Sequence, residues 1–324
     1  MCTSIAWRRG SSYFGRTLDL ECSYGEQVVV TPRGYPIQLR NGGEVRTRWG
    51  LIGMGLVVQD HPFYYEACNE QGLAIAGLNF PESAVYLPPQ EGKTNLAVFE
   101  LIPWLLGQAS TVAEARGLLA EVNLTDQAFS SQMPLSPLHF MVSDRRESLV
   151  AEPTAEGLKL YDNPCDVMTN EPPFSTQLWN LRQYRRLSPA NGPTDFTDRY
   201  PLPDFAVGMG AFGLPGDASS PSRFVRAAYH LANSRCEDTD AANVSQFFHV
   251  LDSVSMVKGA TLTSTGKDDI TVYTCCMDLD KGIYYYTTYD NHQITALRMD
   301  HADLDGDKLT VYPLCRTQQL RCDN

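Results

Sequence analysis

Apolar and polar residues alternate near the start of the chain in two runs that flank a short polar turn. Residues 2–7 predict a β-strand, the stretch RRGSS predicts its turn, and YFGRTLDL predicts the returning strand of a hairpin. Further strand-like runs follow at GEQVVVTPRG, WGLIGMGLVV and GLAIAGLNF. The chain is therefore predicted to begin in β-structure, with Cys2 at the head of the first strand.

Helical patterns interrupt these strands in two regions of the chain. A first helix is predicted over about 95–107, bent or ended by Pro103, and a second is predicted to open at Thr111 with a capping box. Ser222 and Asp240 are the predicted N-caps of two later helices. Strand-like runs return between the two helical regions, at LHFMVSD, SLVAEPT and LKLYDN.

The last third of the chain returns to strands at DDITVYTCCMDL, KGIYYYTTYD and QITALRM, and the last two are predicted to form a hairpin at Asn291-His292. Residues 183–221 are rich in Pro, Gly and Asp and predict a long loop. Blocks of strands and of helices without regular βαβ alternation predict an α+β fold, in which two antiparallel sheets stack and the helices are segregated. We expect a single domain over residues 1–324.

Composition and charge limit the kinds of molecule that the protein is expected to bind. The 324 residues are 43% hydrophobic and 20% charged, and 26 Lys and Arg against 38 Asp and Glu give a net charge of −12. This acidic balance argues against nucleic acid and against an anionic membrane as partners. The longest apolar stretch, LAVFELIPWLLG, is shorter than the roughly 20 residues that span a bilayer, and no signal-peptide pattern is present, so a cytoplasmic protein is predicted.

The cysteines and histidines do not form a metal-binding pattern in the sequence. The nine cysteines are odd in number, scattered and without a C-x-x-C pair, which argues against both a disulfide framework and a zinc site. The six histidines lack the spacing of metal ligands, and no glycine loop that could cradle a phosphate is present. The sequence thus predicts no metal and no cofactor.

Cys2 is the strongest candidate for a chemical role because of its position. Cysteine is small enough for the initiator methionine to be removed in front of it, which would place an α-amino group on the residue that carries the thiol. An α-amine titrates at roughly 7.7–8.0 and a cysteine thiol at roughly 8.5, so such an amine can serve as the base for its own nucleophile. The alternative is an incidental cysteine at a frayed terminus.

Arg16 and Asp19 lie on the predicted returning strand, across from Cys2. Arg16 shares a strand face with Leu18, whereas Asp19 projects to the opposite face unless a bulge intervenes. A cation close to Cys2 would lower the pKa of its thiol, and a carboxylate could orient its amine. The two residues could equally form a cross-strand ion pair on a solvated face.

Two asparagines and one arginine are further candidates. Asn79, in GLNFPES, and Asn170, in MTNEPPF, each follow a strand-like run and precede a proline. Asparagine in such a place is usually a turn former, but its amide could also supply an oxyanion hole. Arg223 falls in the first turn of a predicted helix, where a cation opposes the helix dipole and so suggests another use.

Six motifs in matching order resemble the choloylglycine hydrolase family. They are MCTS, FGRTLDL, GLAIAGLNFP, MTNEPPF, GLPGDASSPSRFVRA and KGIYYYTTYDNHQ, within a resemblance that extends from residue 1 to about residue 307. The resemblance implies the αββα sandwich of N-terminal-nucleophile hydrolases, with two stacked antiparallel sheets flanked by helices. It also implies cleavage of linear amides without a metal or an organic cofactor.

The same resemblance implies a catalytic role for the residues of the first hairpin. Cys2 would be the nucleophile and its own α-amine the base, with Asp19 holding the amine and Arg16 beside the thiolate. Because strand alternation places Asp19 on the opposite face, the resemblance further implies a local twist or bulge.

Three residues distant in the chain complete the implied catalytic set. Asn79 would donate to the oxyanion, Asn170 would orient nucleophile and substrate, and Arg223 would stabilise charge near the thiol. The loop at about 188–213 resembles the family's assembly loop, which reaches into a neighbouring subunit, and therefore implies a homotetramer.

The substrate class is also implied by the resemblance. Bile salt hydrolases tend to carry asparagine at the position of Asn79, where many penicillin V acylases carry tyrosine, so the chain resembles a bile salt hydrolase that acts on conjugated bile acids. The residues expected to line a steroid pocket are apolar: Leu18, Val58, Phe129 and Met133. The alternatives are a penicillin V acylase or other N-acyl amidase, and a non-catalytic binder of bile acids or acyl amides.

Overall fold

Strands predominate over helices in the computed structural model, which describes residues 1–193 and 196–323. The strands are β1 (Cys2–Arg9), β2 (Ser11–Leu20), β3 (Gln27–Thr31), β4 (Pro36–Gln38), β5 (Glu44–Arg46), β6 (Leu51–Val58), β7 (His61–Asn69), β8 (Ala74–Asn79), β9 (Thr94–Ala97), β10 (Val122–Thr125), β11 (Leu138–Ser143), β12 (Ser148–Thr154), β13 (Gly157–Asp162), β14 (Val167–Met168), β15 (Ile270–Asp278), β16 (Ile283–Thr288), β17 (Asn291–Arg298) and β18 (Thr310–Pro313). The helices are α1 (Leu101–Gln108), α2 (Val112–Leu119), α3 (Phe174–Leu181), α4 (Ser220–Asn233) and α5 (Asp240–Asp252). Within the described ranges, no helix is both long and apolar enough to cross a membrane.

Most of the strands belong to two large antiparallel sheets. The front sheet has six strands in the order β14-β1-β2-β15-β16-β17, and the rear sheet has eight in the order β13-β12-β11-β8-β7-β6-β3-β18. Two further short pairs are formed by β9 with β10 and by β4 with β5. Strands that are far apart in the chain become neighbours, since β2 lies beside β15 in the front sheet.

The two sheets pack face to face, and helices cover the outer side of each. The hydroxyl of Tyr273 in the front sheet donates to Glu66 in the rear sheet at 2.8 Å. Helices α4 and α5 cover the front sheet, where the ring of Phe247 lies 6.5 Å from that of Tyr13. Helices α1 and α2 cover the rear sheet. This helix–sheet–sheet–helix order confirms the predicted α+β sandwich.

Strand β2 is buried on both faces because it lies in an inner layer. Residues 12–19 are all buried, the polar ones included. Polar and charged groups in such a layer must find partners inside the protein, since burial without a hydrogen bond is costly. The alternative of an ion pair on a solvated face is therefore wrong for Arg16 and Asp19, which are 1% and 0% exposed.

The turn of the first hairpin is tighter than the stretch RRGSS predicts. Strand β1 extends to Arg9 and β2 begins at Ser11, so Gly10 alone joins them, with φ at 66°. Glycine adopts this left-handed conformation at no steric cost. A Cβ at this position would also lie 2.4 Å from Oδ1 of Asp238.

The helix predicted over 95–107 is wrong in its first half. Residues 94–97 form β9, residues 98–100 form a 3₁₀ turn, and α1 begins at Leu101. Pro103 therefore lies in the first turn of α1 rather than at a bend or an end. It is tolerated there because the first N–H groups of a helix have no partner within the helix.

The two later N-caps are displaced from their predicted positions. Helix α4 begins at Ser220 rather than after Ser222, because the Ser222 hydroxyl donates to the carboxylate of Asp217 at 2.6 Å. Helix α5 begins at Asp240 itself, and the side chain that caps it is that of Thr239.

One predicted cap is confirmed and one predicted hairpin is shifted. The hydroxyl of Thr111 accepts from the N–H of Glu114 at 3.2 Å, as the capping box predicts. The hairpin predicted at Asn291-His292 turns two residues earlier, at 289–290, because β17 already begins at Asn291.

The loop predicted over 183–221 is shorter than predicted, since residues 183–184 belong to a 3₁₀ turn and residues 220–221 to α4; its other described residues contain a 3₁₀ turn at Met209–Ala211 and otherwise no helix or strand. Within the predicted assembly loop, residues 194–195 lie outside the described residues. Several large apolar side chains of this loop are exposed: Phe196, Tyr200, Leu202, Phe205, Val207 and Phe212.

Candidate active site

Cys2 opens β1 and is almost completely buried, with 2% of its surface exposed. It pairs with Leu18 of β2, and Arg16 lies on the same face because alternate residues of a strand point the same way. This face is turned towards the rear sheet, where Nη1 of Arg16 donates to the carbonyl of Gly77 at 2.7 Å. The thiol of Cys2 therefore lies between the sheets on the side of a guanidinium.

Arg16 has an acidic partner inside the protein. Its Nη1 lies 3.7 Å from Oε2 of Glu66, and its Nε donates to the carbonyl of Thr17 at 3.1 Å. Burial by itself would lower the pKa of Arg16, but interactions with the acidic groups of Cys2, Tyr273 and Glu66 outweigh burial and raise that pKa. The guanidinium is thus a permanent positive charge next to the sulfur.

Asp19 lies on the opposite face of β2, as strand alternation predicts. Its Oδ1 accepts from the hydroxyl of Thr271 at 2.7 Å, and its Oδ2 accepts from the hydroxyl of Thr17 at 3.1 Å. Burial raises the pKa of the Asp19 carboxyl, and the charge of Arg223 offsets part of that rise. The irregularity beside Asp19 lies in the partner strand β15, whose register shifts between Thr271 and Tyr273.

The chain terminus contacts Asp19 through the backbone. The α-amine of Met1 donates to the carbonyl oxygen of Asp19 at 2.6 Å and lies 3.6 Å from Oδ2 of Asp269. The N–H of Cys2, which would become an amine after removal of Met1, donates to Oδ1 of Asn170 at 2.9 Å. The amine that contacts Asp19 in this structure belongs to Met1, so the contact that the resemblance implies between Asp19 and the α-amine of Cys2 stays a prediction.

Asn170 connects Cys2 to two other parts of the chain, α4 and the end of β8. Its Oδ1 accepts from Nη2 of Arg223 at 2.7 Å as well as from Cys2, and its Nδ2 donates to the carbonyl of Asn79 at 2.8 Å. Its own N–H donates to the hydroxyl of Ser220 at 2.9 Å. Bonds in these several directions fix the orientation of the amide.

Arg223 reaches the backbone of Cys2 from α4. Its Nη1 donates to the carbonyl of Cys2 and to Oγ1 of Thr3, both at 2.6 Å. The side chain is fully buried, and burial lowers the pKa of the guanidinium against the opposing charge of Asp19. Its place in the first helical turn, unfavourable to the helix dipole, is explained by this reach to β1.

The start of α4 is determined by local hydrogen bonds. The Asp217 carboxylate accepts from the N–H of Ser219 at 2.9 Å and from the hydroxyl of Ser222 at 2.6 Å. Bonds from Ser219 and Ser222 lower the pKa of Asp217 to about 2. Since Ser220 also bonds to Asn170, the helix start and the asparagine are held together.

Asn79 ends β8 with an exposed side chain, and its backbone carbonyl joins the cluster through Asn170. An exposed amide at a strand end is free to approach a ligand oxygen as a donor. The structure thus brings the six predicted catalytic residues together: Cys2, Arg16, Asp19, Asn79, Asn170 and Arg223.

The four predicted pocket residues lie in two places. Leu18 belongs to the cluster, opposite Cys2 in the pairing of β1 with β2. Val58 ends β6, and the ring of its hairpin partner His61 lies 6.1 Å from that of Phe129. Met133 lies in the same loop as Phe129, at an isolated bridge with Ser130.

Phe129 belongs to an aromatic cluster that the sequence reasoning missed. The rings of Phe63 and Phe99 lie 4.6 Å and 5.4 Å from that of Phe129, and the guanidinium of Arg40 lies 4.8 Å over the same ring. Burial lowers the pKa of His61, a further member, to about 4. These residues are spread along the sequence without any periodic spacing, so no pattern relates them.

A buried pair behind Asn170 was also missed. The Nε2 atom of His139 lies 2.9 Å from the carbonyl of Thr169, and its Nδ1 lies 3.2 Å from Oε1 of Glu152. The imidazole stacks on Phe80 with ring centres 4.2 Å apart. The pair supports the segment that carries Asn170.

Glu66 on β7 is the third feature of the site that was not predicted from the sequence, and it contacts Arg16. A signal for it exists in the sequence, because HPFYYEACN places an acid within a strand that is otherwise largely apolar and aromatic. No such signal marks Thr3 or Thr271, since threonine is common in strands.

Comparison with known proteins gives concordant matches over nearly the whole chain. A family model described as linear amide C–N hydrolases, choloylglycine hydrolase family, matches residues 2–312. A bile salt hydrolase/transferase of Lactiplantibacillus plantarum is 48% identical over 314 residues, which cover 97% of each chain. The crystal structure of a mutant conjugated bile acid hydrolase from Clostridium perfringens superposes with a TM-score of 0.94 at 37% identity and covers 100% of both chains. Penicillin V acylase from Agrobacterium tumefaciens superposes with a TM-score of 0.76 at 19% identity over 96% of this chain and 90% of its own, which shows a common fold alone.

Proposed function

The chain belongs to the choloylglycine hydrolase family of linear amide C–N hydrolases, and we propose that it hydrolyses the amide bond of glycine- or taurine-conjugated bile acids. The observation that carries the proposal is the convergence of two buried arginines and an oriented asparagine on the backbone and thiol of Cys2. The 48% identity to a bile salt hydrolase/transferase supports the choice of substrate class.

In the proposed reaction, removal of Met1 leaves Cys2 with a free α-amine. The amine accepts the proton of the thiol, and the thiolate attacks the carbonyl carbon of the substrate amide. The amine then returns the proton to the leaving nitrogen as the C–N bond breaks, so that glycine or taurine departs and a thioester remains. Water next gives a proton to the amine and attacks the thioester, which releases the bile acid and restores the thiol. This scheme calls on no metal or cofactor.

The remaining cluster residues stabilise charge and orientation in this scheme. Asn170 accepts from the nitrogen of Cys2 and so fixes the direction of the amine. Asn79 donates its side-chain amide to the oxyanion, and Arg16 favours the thiolate through its positive charge. Arg223 holds the carbonyl of Cys2 and the amide of Asn170 in place.

Substrate turnover and the state of the terminus test the proposal. We expect purified protein to release glycine from glycocholate or taurine from taurocholate faster than it cleaves penicillin V. We expect Cys2→Ala to abolish release, while Cys22→Ala, at an exposed cysteine, leaves it unchanged. Preferred cleavage of penicillin V would contradict the substrate class, and active protein that retains Met1 in its mass spectrum would contradict the mechanism.

We propose in addition that the chain assembles as a homotetramer through the loop at 188–213. Exposed apolar side chains support this, since Phe205, Val207 and Phe212 are 81%, 97% and 86% exposed, far more than a monomer surface usually leaves together. Light scattering on the wild type and on Phe205→Ser with Val207→Ser tests it. A wild-type monomer would contradict the proposal.

We propose a cytoplasmic location, which the nine unpaired cysteines support because thiols persist in reducing compartments. Fractionation of cells that express the protein, with a cytoplasmic marker enzyme as reference, tests this location.

A further inference from the structure

Glu66 is a buried acid with no place in the catalytic scheme above. It lies on β7 of the rear sheet, is 0% exposed, and faces the front sheet. Its Oε2 accepts from the hydroxyl of Tyr273 at 2.8 Å, and its Oε1 accepts from the hydroxyl of Tyr284 at 2.6 Å. Both carboxylate oxygens therefore have a donor, and the same Oε2 lies 3.7 Å from Nη1 of Arg16.

Arg16 does not depend on Glu66 alone for its position. Its Nη1 also donates to the carbonyl of Gly77 and its Nε to the carbonyl of Thr17, at 2.7 Å and 3.1 Å. These carbonyls are neutral, so they orient the guanidinium without cancelling its charge. Burial raises the pKa of the Glu66 carboxyl, and the charge of Arg16 and the two tyrosine bonds offset part of that rise. In its ionised form the carboxylate cancels part of the guanidinium charge, and the remainder acts on the thiol of Cys2.

We propose that Glu66 is a positioning residue that acts on Cys2 through Arg16: its carboxylate, clamped by two tyrosine hydroxyls, limits the positive charge that Arg16 exerts on the sulfur. The inference deepens the proposed function and rests on it for the role of Cys2 as nucleophile. Its consequence is that the reactivity of the Cys2 thiol depends on the charge of Glu66 as well as on that of Arg16.

Other charged or titratable groups surround this arrangement from each neighbouring element. Arg223 approaches Cys2 from α4, and the carboxylates of Asp19 and Asp269 interact with Arg223 on that outer side. These groups lie on the opposite face of β1 and β2 from Arg16, and the variants used to test this proposal leave them unchanged.

On the inner side, the groups that face Glu66 come from β15, β16 and its own strand. They are Tyr273, Cys275, Tyr284 and Tyr65, and burial raises the pKa of each of them. They therefore stay neutral near neutral pH, and Arg16 is the charged group that Glu66 meets there.

The pH dependence of Cys2 alkylation tests this coupling. Protein that has lost Met1 is treated with iodoacetamide at a series of pH values, and the tryptic peptide over residues 2–8, which contains a single cysteine, is quantified by mass spectrometry. We expect Glu66→Gln to lower the midpoint of the alkylation profile by about one pH unit, because removal of the carboxylate charge leaves more of the guanidinium charge on the sulfur.

The matched control is Glu100→Gln. Glu100 is also 0% exposed, but its carboxylate accepts from the N–H groups of Arg40 and Ala97, away from Arg16. We expect this variant to lose stability without a shift of the Cys2 midpoint. A Glu66→Gln midpoint that is unchanged or raised would overturn the proposal and leave Glu66 a structural residue.

A second variant keeps the carboxylate and changes its hydrogen bonding. Tyr284→Phe removes the donor to Oε1, a bond that holds the pKa of Glu66 down, so the carboxyl is more often neutral and we expect the Cys2 midpoint to fall, as in Glu66→Gln. If Glu66→Gln does not fold, the direction of this second shift decides, and a rise would overturn the proposal. Failure of the wild type to cleave conjugated bile acids would contradict the proposed function while the alkylation midpoints still decide the role of Glu66.

Discussion

Arg16 and Arg223 approach Cys2 from opposite faces of the same hairpin, and both are fully buried. Arg16 comes from β2 on the inner face and lies 3.7 Å from the carboxylate of Glu66. Arg223 comes from α4 on the outer face, and in the described ranges 1–193 and 196–323 its hydrogen bonds go to neutral oxygens.

The two arginines also differ in the direction of their pKa. Burial lowers the pKa of both, but for Arg16 the acidic groups of Cys2, Tyr273 and Glu66 outweigh burial and the pKa rises. For Arg223 the opposing charge of Asp19 does not outweigh burial, and the pKa falls. The charge of a buried cation is partly neutralised when a carboxylate contacts it. A buried cation that bonds to neutral groups is not neutralised, so its charge can stabilise negative charge that develops during a reaction.

Of the two arginines, Arg223 is expected to have the larger effect on activity. Arg223→Met should lower kcat/KM at least about 1000-fold, or about 4 kcal/mol of transition-state stabilisation, because Asn170 and the carbonyl of Cys2 lose their donor. Steady-state hydrolysis of glycocholate measures this loss. The control is Arg226→Met, one turn along α4, which bonds to Ser253 and should change kcat/KM only a few-fold. Equal losses in both variants would show that the effect comes from disruption of the helix.

The second-largest effect is expected in the stability of the protein when Arg16 is substituted. Arg16→Met leaves Glu66 as an uncompensated buried acid, and we expect the free energy of unfolding to fall by about 3 kcal/mol in urea titrations at pH 7. The double variant Arg16→Met with Glu66→Gln should recover a large part of this loss, because no buried charge is then left unpaired. If the double variant is as unstable as the sum of the single variants, the two groups do not form a pair.

Substitution of Asp19, whose charge acts on Arg223, should stabilise the protein, whereas substitution of Arg16 should destabilise it. Because burial raises the pKa of Asp19 above its unfolded value, the native state binds more protons, and stability falls as pH rises through the native pKa. Asp19→Asn removes this dependence. Above pH 4, the free energy of unfolding of the variant should therefore rise relative to that of the wild type, by about 1.4 kcal/mol for each pH unit between the unfolded and the native pKa of Asp19. A variant that loses stability relative to the wild type between pH 4 and pH 7 would contradict this sign.

The smallest effect is expected far from both arginines, at His61. Burial lowers the pKa of His61 to about 4, below the ordinary value of about 6.5, so acid favours the unfolded state across that window. We expect the wild type to lose about 1 kcal/mol between pH 7 and pH 6 from this group, and His61→Phe to escape the loss. Urea unfolding at the two pH values measures it, and an equal loss in the variant would show that His61 is not the source of the acid sensitivity.

The fold class could be predicted because blocks of strands and helices follow one another without βαβ alternation. The ends of the individual helices and strands could not be predicted, because they depend on particular hydrogen bonds and strand pairings. Ser222 looks like an N-cap, but its hydroxyl is already used by Asp217. Residues 94–97 continue a helical pattern in sequence, yet they pair in parallel with residues 122–125 as a strand, a contact that only the folded chain provides.

The predicted site residues are brought together through contacts that the sequence did not specify. The carbonyl of Asp19 accepts from the α-amine of Met1, and its carboxylate accepts from two threonine hydroxyls. The carboxylate that does face Arg16 belongs to Glu66, which the sequence reasoning did not single out. Charged residues inside an apolar strand are the signal that would have found it.

The sequence by itself determined the first hairpin, because a single glycine turn fixes the pairing of Cys2 with Leu18 and thus the faces of Arg16 and Asp19. Only the tertiary structure decided what those faces meet. The inner face meets β7 and the outer face meets α4, and the residues in contact there are separated by 50 to more than 200 positions in the chain. Such contacts leave no periodic trace in a sequence, since they depend on how two sheets and a helix pack rather than on the spacing of neighbouring residues.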